Sequence, residues 1–365
     1  MTNRSLLPNE AITFALRSLY DRYGYSRYKM NKFEEYDLYA RNKDFLICES
    51  VITFTDLDGK LMALKPDVTL SIVKNTKDAP GIRKLYYNEN VYRVSRGSRS
   101  FREIPQVGLE AIGDIDEYCL YEVLKLAAES LTCTGRDCIL EISHLGLLNA
   151  ALGYAGIPEA EMGEMIRCVG EKNLHELKAN CCRLGVSSEN IALLQALAST
   201  YGTAEEVLPA VEALLTGIAE AEELAAFLRI VGALSAGKYG SLIRIDFSAV
   251  SDPQYYNGFV FKGFAQNVPF PILSGGQYDR MMRRLKRRSG AIGFAVYLDI
   301  LEQYTLSRTQ YDVDTVLLYD EECTIAEIEA KARQLTGSGE SILLQRQIPP
   351  GIRYRQLVTM TKGGN

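Results

Sequence analysis

Three groups of polar residues stand where the surrounding pattern calls for apolar ones. Lys65-Pro66-Asp67-Val68-Thr69 falls at a strand-to-helix junction, and Gln106 and Glu110 lie four apart on one strand, so both side chains project from the same face. Tyr255, Tyr256 and Tyr278 flank glycine-containing turns. An acid, an amide and phenols that converged in one cleft would suit a small ligand carrying an ammonium group and an imidazole. A lone Gln or Glu on a strand is more often solvent-facing. Only convergence of the whole set would make a site.

Those residues need elements to hold them. Residues 8–23 carry apolar side chains at helical spacing until Gly24, and residues 46–54 and 60–64 read as strands around the turn Asp56-Leu57-Asp58-Gly59. A helical pattern covers 68–75. Two more strands, 83–93 and 104–112, are joined by a polar loop at 94–102, and a helix over 117–131 precedes a strand at 138–142. From 145 to about 236 the chain is rich in Ala, Leu and Glu, with Gly and Pro between helical runs, which predicts a set of short packed helices. Strands resume at 242–247, 258–264 and 271–273. A glycine turn at Ser274-Gly275-Gly276 and an amphipathic helix from about Gly290 are expected next. Residues 315–319, 325–335 and 341–345 then read as a small β-α-β tail.

Composition sets the class. A chain of 365 residues, 47% hydrophobic and 24% charged, fits a soluble globular protein with one large domain and a small one. No apolar run approaches the roughly 20 residues of a membrane span. Met1-Thr2-Asn3-Arg4 leads into mixed polar sequence rather than a signal core, so a cytoplasmic location is expected. Cys48, Cys119, Cys133, Cys138, Cys168, Cys181, Cys182 and Cys323 include no Cys-x-x-Cys pair, and the two histidines, His144 and His175, are far apart. Free thiols and no metal site are the plain reading. A net charge of −5 argues against a surface that grips a polyanion throughout. Arg280, Arg283, Arg284, Lys286, Arg287 and Arg288 form a local basic cluster, either a solvated face or a phosphate or partner site.

Residues 83–113 (RKLYYNENVYRVSRGSRSFREIPQVGLEAIG) resemble motif 2 of the class II aminoacyl-tRNA synthetases, in the histidyl branch. That motif is a strand ending in Arg, here Arg93, then a loop and a strand of the pattern Arg-x-Phe-x-Gln-x-Gly-x-Glu. Arg102, Gln106, Gly108 and Glu110 fall on it, with Ile104 in place of Phe. Residues 64–69 look like the family's Leu-Arg-Pro-(Asp/Glu)-x-Thr segment, and 274–279 like its Gly-Gly-Arg-Tyr-Asp box. The resemblance spans residues 6–304. It implies an α+β fold: a class II synthetase-like, mixed, mainly antiparallel sheet with flanking helices over 1–305. A helical insertion at about 145–236 and a truncated anticodon-binding-like β-α-β segment at 312–365 complete it. It also implies a histidine-binding set of Asp67, Thr69, Arg93, Gln106, Glu110, Tyr255, Tyr256 and Tyr278.

The departures fall on the nucleotide side. Asn31 stands where motif 1 carries Pro, and Ile300 where the motif 3 Arg stacks on the ATP base. Ser251 replaces the Arg of an Arg-Gly-Leu-Asp-Tyr-Tyr segment, and Ser95 replaces the Glu that partners the motif 2 Arg. Without those cations, aminoacyl-adenylate formation loses its main electrostatic support. Within the family, a kept amino-acid pocket, a lost ATP site and about half of an anticodon-binding domain match the regulatory subunits of ATP phosphoribosyltransferase. The resemblance thus implies no catalysis, no cofactor and no metal. It implies a short-form catalytic ATP phosphoribosyltransferase as partner, a dimer formed through the motif 1 region, and histidine as regulatory ligand in histidine biosynthesis. Neither a membrane nor nucleic acid is expected as a partner. Three other readings stay open: an active histidyl-tRNA synthetase, a sensor of uncharged tRNA served by the basic cluster, and a paralogue for another amino acid.

Overall fold

A computed structural model describes residues 8–42, 51–94, 100–250, 255–304, 311–337 and 339–361. Helix α1 (Pro8–Arg22) stops where Gly24 turns the chain at φ +76°. Strands β1 (Ser26–Arg27) and β2 (Phe33–Glu35) and helix α2 (Tyr36–Ala40) follow. β3 (Thr53–Thr55) and β4 (Leu61–Leu64) form a hairpin, in which Asp56 Oδ1 accepts the N–H groups of Asp58 (2.9 Å) and Lys60 (2.8 Å). Helix α3 (Thr69–Asn75) leads into the two longest strands, β5 (Ile82–Val94) and β6 (Phe101–Gly113). Helix α4 (Glu117–Thr132) is capped by Asp116, whose carboxylate accepts the Cys119 N–H at 2.8 Å, and runs on to β7 (Cys138–His144).

The Ala- and Leu-rich middle is helical: α5 (Leu145–Tyr154), α6 (Glu159–Gly170), α7 (Leu174–Arg183), α8 (Ser188–Ala198), α9 (Ala204–Leu215) and α10 (Ala221–Ala236), with the two-residue strand β8 (Tyr201–Gly202) between α8 and α9. The chain returns to the sheet through β9 (Ile243–Asp246), β10 (Phe259–Ala265) and β11 (Leu273–Gln277). Helix α11 (Asp279–Arg284), β12 (Gly290–Tyr297) and α12 (Leu298–Tyr304) close this part. The chain divides into two units, Met1–Tyr304 and Thr305–Asn365. The second holds β13 (Val313–Tyr319), α13 (Ile325–Thr336), β14 (Ile342–Gln345) and β15 (Tyr354–Met360), with three parallel strands in the order β14-β13-β15.

The large sheet has nine strands in the order β1-β5-β6-β12-β11-β10-β7-β9-β8. Only β1–β5 and β7–β9 pair in parallel; the other neighbours are antiparallel. The sheet's two faces differ in chemistry. Val107, Leu109 and Ala111 of β6 and Ile292, Phe294 and Val296 of β12 are buried on one face, in a core shared with Leu16, Leu19 and Tyr20 of α1 and Val123, Leu124 and Ala127 of α4. Gln106, Gly108 and Glu110 take the other face. Above it, α3, α11 and the small sheet β2-β4-β3 surround a second apolar cluster containing Leu70, Ile72, Val73, Met281 and Met282.

Three sequence expectations are corrected. Ser274-Gly275-Gly276 is not a turn but the interior of β11, because a Cβ at Gly275 would lie 2.4 Å from the Gly293 carbonyl oxygen. Gly290 begins a strand, and helix starts only at Leu298. A strand buried on both faces reads as an unbroken apolar run, which periodicity cannot tell from a helix. The tail is more than β-α-β: β15 follows the Pro349-Pro350-Gly351 turn and pairs in parallel with β13. Residues 46–50 of the expected strand at 46–54 and residues 95–99 of the loop at 94–102 lie outside the described residues.

One buried ion pair joins the small sheet's exit to the large sheet. Lys65, 1% exposed, places its ammonium on the Glu89 carboxylate, which also accepts the Met30 N–H at 3.2 Å. Removing one partner of such a pair strands the other charge. Glu89→Ala should cost about 3–5 kcal/mol in urea unfolding, and Lys65→Met in the Glu89→Gln background clearly less. Equal costs would show that the pair carries no buried charge.

Candidate functional site

The polar face of the sheet forms the floor of a cleft, and its shape follows from strand register. Gly108 lies between Tyr87 of β5 and Ala295 of β12, Glu110 faces Gly293, and Gln106 faces Tyr297. The glycines make room. A Cβ on Gly293 would stand 1.7 Å from Glu110 Oε2, and one on Gly108 would stand 2.5 Å from the Tyr87 hydroxyl. The small residues are therefore the seats of the large polar ones.

All eight sequence-derived candidates line this cleft. Asp67 and Thr69 enter from the start of α3, Arg93 from the end of β5, and Gln106 and Glu110 from β6; Tyr255, Tyr256 and Tyr278 come from the chain on either side of β10 and β11. The cavity is narrow, ≈ 30 Å³. Glu110 is its centre. Its Oε1 accepts the Thr69 hydroxyl at 2.7 Å and its Oε2 accepts the Tyr278 hydroxyl at 2.6 Å. Asp67 Oδ1 accepts the Leu70 N–H at 2.9 Å, and Arg93 Nε donates to the Pro66 carbonyl at 3.0 Å. The Tyr255 ring packs 4.6 Å from Tyr256 and 5.8 Å from Tyr278, making an aromatic wall.

Burial controls the charges. It pushes Glu110 up to about 8, against the pull of its two hydroxyl donors, and the neighbouring Asp67 adds to the rise. Asp67 is raised for the same first reason, opposed by the Leu70 N–H and by the charge of Arg93. Burial also lifts the Tyr87, Tyr255 and Tyr278 phenols well above their usual range, so they stay protonated donors. Two acids, an amide and a ring of phenols make a site that welcomes one small cation. Arg93 is the one cation among the described residues that line it.

Tyr87, Ser274, Gly293 and Tyr297 also line the cleft and were not singled out from sequence. Parity could have found Tyr87, since it shares a strand face with Arg93. Tyr297 becomes visible only when β12 is known to be a strand. Asp279, in the segment resembling the family's glycine box, instead locks the frame, accepting the Ala291 N–H at 2.8 Å and the Gln277 amide at 2.7 Å.

On the side where a synthetase holds nucleotide, Ile300 of α12 packs against the apolar core, and Arg102 is held by Asp299 at 3.2 Å. Asn31 is exposed in the chain between β1 and β2. Ser95 and Ser251 lie outside the described residues. The basic cluster runs along α11 and the turn after it, with Arg280, Arg283, Arg284, Lys286 and Arg288 exposed. Glu164, Cys168 and Glu176 bring three ligand-type atoms together, but the Arg167 guanidinium donates to both carboxylates, at 2.6 and 2.7 Å, and holds that place itself. His144 is a core residue: burial lowers it to about 3, and its ring caps α5 by accepting the Leu147 N–H.

The sequence profile of the histidyl-tRNA synthetase family matches residues 4–301. An ATP phosphoribosyltransferase regulatory subunit of Acetivibrio thermocellus is 24% identical over 321 residues, covering 84% of this chain and 76% of its own. A crystal structure described as an ATP phosphoribosyltransferase regulatory subunit/histidyl-tRNA synthetase, from Bacillus halodurans, superposes with a TM-score of 0.75 at 23% identity, covering 98% of this chain and 95% of that one. A chain of the ATP phosphoribosyl transferase (HisG:HisZ) complex from Thermotoga maritima superposes with a TM-score of 0.62 at 19% identity, covering 80% of this chain and 98% of its own. No helix among the described residues is long and apolar enough to cross a membrane.

The raised Glu110 carboxyl has a measurable consequence. The folded chain holds this proton more tightly than the unfolded one, so the stability linked to it is full below pH 4.5 and is lost as pH rises through about 8. Glu110→Gln should flatten the pH dependence of urea-unfolding stability across that window, leaving the slope due to Asp67. An unchanged slope would mean that Glu110 is already ionised in the folded protein.

Proposed function

The chain belongs to the histidyl-tRNA synthetase family, and from that premise we propose that it is the regulatory subunit of an ATP phosphoribosyltransferase, acting in the first step of histidine biosynthesis. It is not itself a catalyst. The observation that carries this reading is the contrast between the polar cleft and the positions expected to serve ATP. In the cleft, Glu110, Asp67, Gln106 and the tyrosines converge in a form suited to an ammonium group and an imidazole. At the expected ATP positions, Ile300 is packed away and Arg102 is held by an acid. Forming an adenylate needs cations aimed at the charge that develops on the α-phosphate. A free amino acid needs one cation for its carboxylate, and Arg93 supplies it.

The relatives named as regulatory subunits, and the two-protein complex to which one structural neighbour belongs, support a catalytic phosphoribosyltransferase as partner. We read histidine in the cleft as the feedback ligand and a second copy, joined through residues 24–34, as part of the assembly, in the cytoplasm. Feedback of this kind is a coupling free energy between separate sites, so histidine and the catalytic substrates must each alter the other's binding. The segment after residue 311 fits the remnant of an anticodon-binding domain.

The test is functional reconstitution. The chain alone should catalyse neither histidine-dependent exchange of pyrophosphate into ATP nor tRNA charging, and it should raise the turnover of a short-form catalytic subunit on mixing. Exchange at rates typical of synthetases, or a partner equally active with and without it, would overturn the regulatory reading.

A further inference from the structure

The cleft floor changes abruptly along β12. Gly293 lies under the Glu110 carboxylate, Ala295 is small, and the next residue on the same face is Tyr297. Ser274 of β11, the cross-strand partner of Ala295, lines the cleft beside it. Tyr297 lies close enough to Arg93 and Asp67 to feel both charges. Immediately beyond it begins α12, where the Asp299 carboxylate holds Arg102 on one oxygen and leaves the other buried without a hydrogen bond.

We infer that Tyr297 is the residue that ends the cleft, confining it to a free amino acid and shutting out any ligand that continues past the carboxylate. The inference rests on the amino-acid reading of the cleft and deepens it. A ligand seated with its ammonium group toward Glu110 and its carboxylate toward Arg93 meets the Tyr297 ring at once. An extension on that carboxylate, such as a ribose joined through a phosphate, would have to displace the ring. It would then enter ground that offers the acid Asp299, with Arg102 already engaged. Bulk and charge exclude the same class of ligand. Loss of adenylation would then be secured by a filled space as well as by missing cations, and restoring an arginine at position 300 alone would not restore nucleotide binding. Tyr297 is a specificity-determining residue here, not a catalytic one.

The test compares two ligands on the full chain by calorimetric titration: histidine, and the sulfamoyl analogue of histidyl-adenylate. Wild-type protein should bind histidine and bind the analogue at least tenfold more weakly. Tyr297→Ala and Tyr297→Ser, checked for fold by circular dichroism, should close or reverse that gap by improving analogue affinity. Tyr297→Phe, which keeps the ring, should retain it. Reading the ratio of affinities separates a steric limit from a general loss of structure, which would weaken both ligands together. Wild-type protein that binds the analogue as tightly as histidine overturns the inference, as do folded small-residue variants that bind histidine yet still refuse the analogue. Wild-type protein that binds neither overturns the amino-acid reading itself, and this inference with it.

Discussion

A carboxyl group set into the middle of a nine-stranded sheet must be hydrogen-bonded, neutral or both, because an unpaired buried charge is too costly to keep. Glu110 meets that demand with two hydroxyl donors drawn from separate parts of the chain. Thr69 fixes the start of α3 over β6, and Tyr278 fixes the junction between β11 and α11 over the same point. The requirement passes down to the backbone, since position 293 on the facing strand can carry no side chain while the carboxylate lies across it. One acid thereby dictates a glycine, two hydroxyls and the convergence of three elements. The cleft is the space those constraints leave.

Much of this was readable in the sequence, and the reasons are local. The hairpin turn at Asp56-Leu57-Asp58-Gly59 has chemistry that needs no tertiary context. Gln106 and Glu110 were placed on one face by strand parity alone. What failed depends on neighbours far away in sequence. Ser274-Gly275-Gly276 is glycine-rich because Gly293 and Phe294 approach it from β12, and read alone that composition signals a turn. Tyr297 is a cleft residue only through the register that sets it opposite Gln106.

The polar groups of the cleft are buried, mutually bonded and part of the core's geometry. The groups that would serve ATP sit at the margin, and there the chain carries Ile300 and an internally paired Arg102. A site that binds without turning over suits a subunit that reports ligand concentration to a partner through linked equilibria.

If the cleft takes histidine as we propose, Glu110, mostly protonated at pH 7, ionises when it receives the ammonium group. Titration of histidine into the complex at that pH, in buffers of different ionisation enthalpy, reads this directly as protons released. The account predicts one histidine per chain, with up to about one more proton released by wild-type protein than by Glu110→Gln. Absence of binding, or the same proton balance in both proteins, would contradict it.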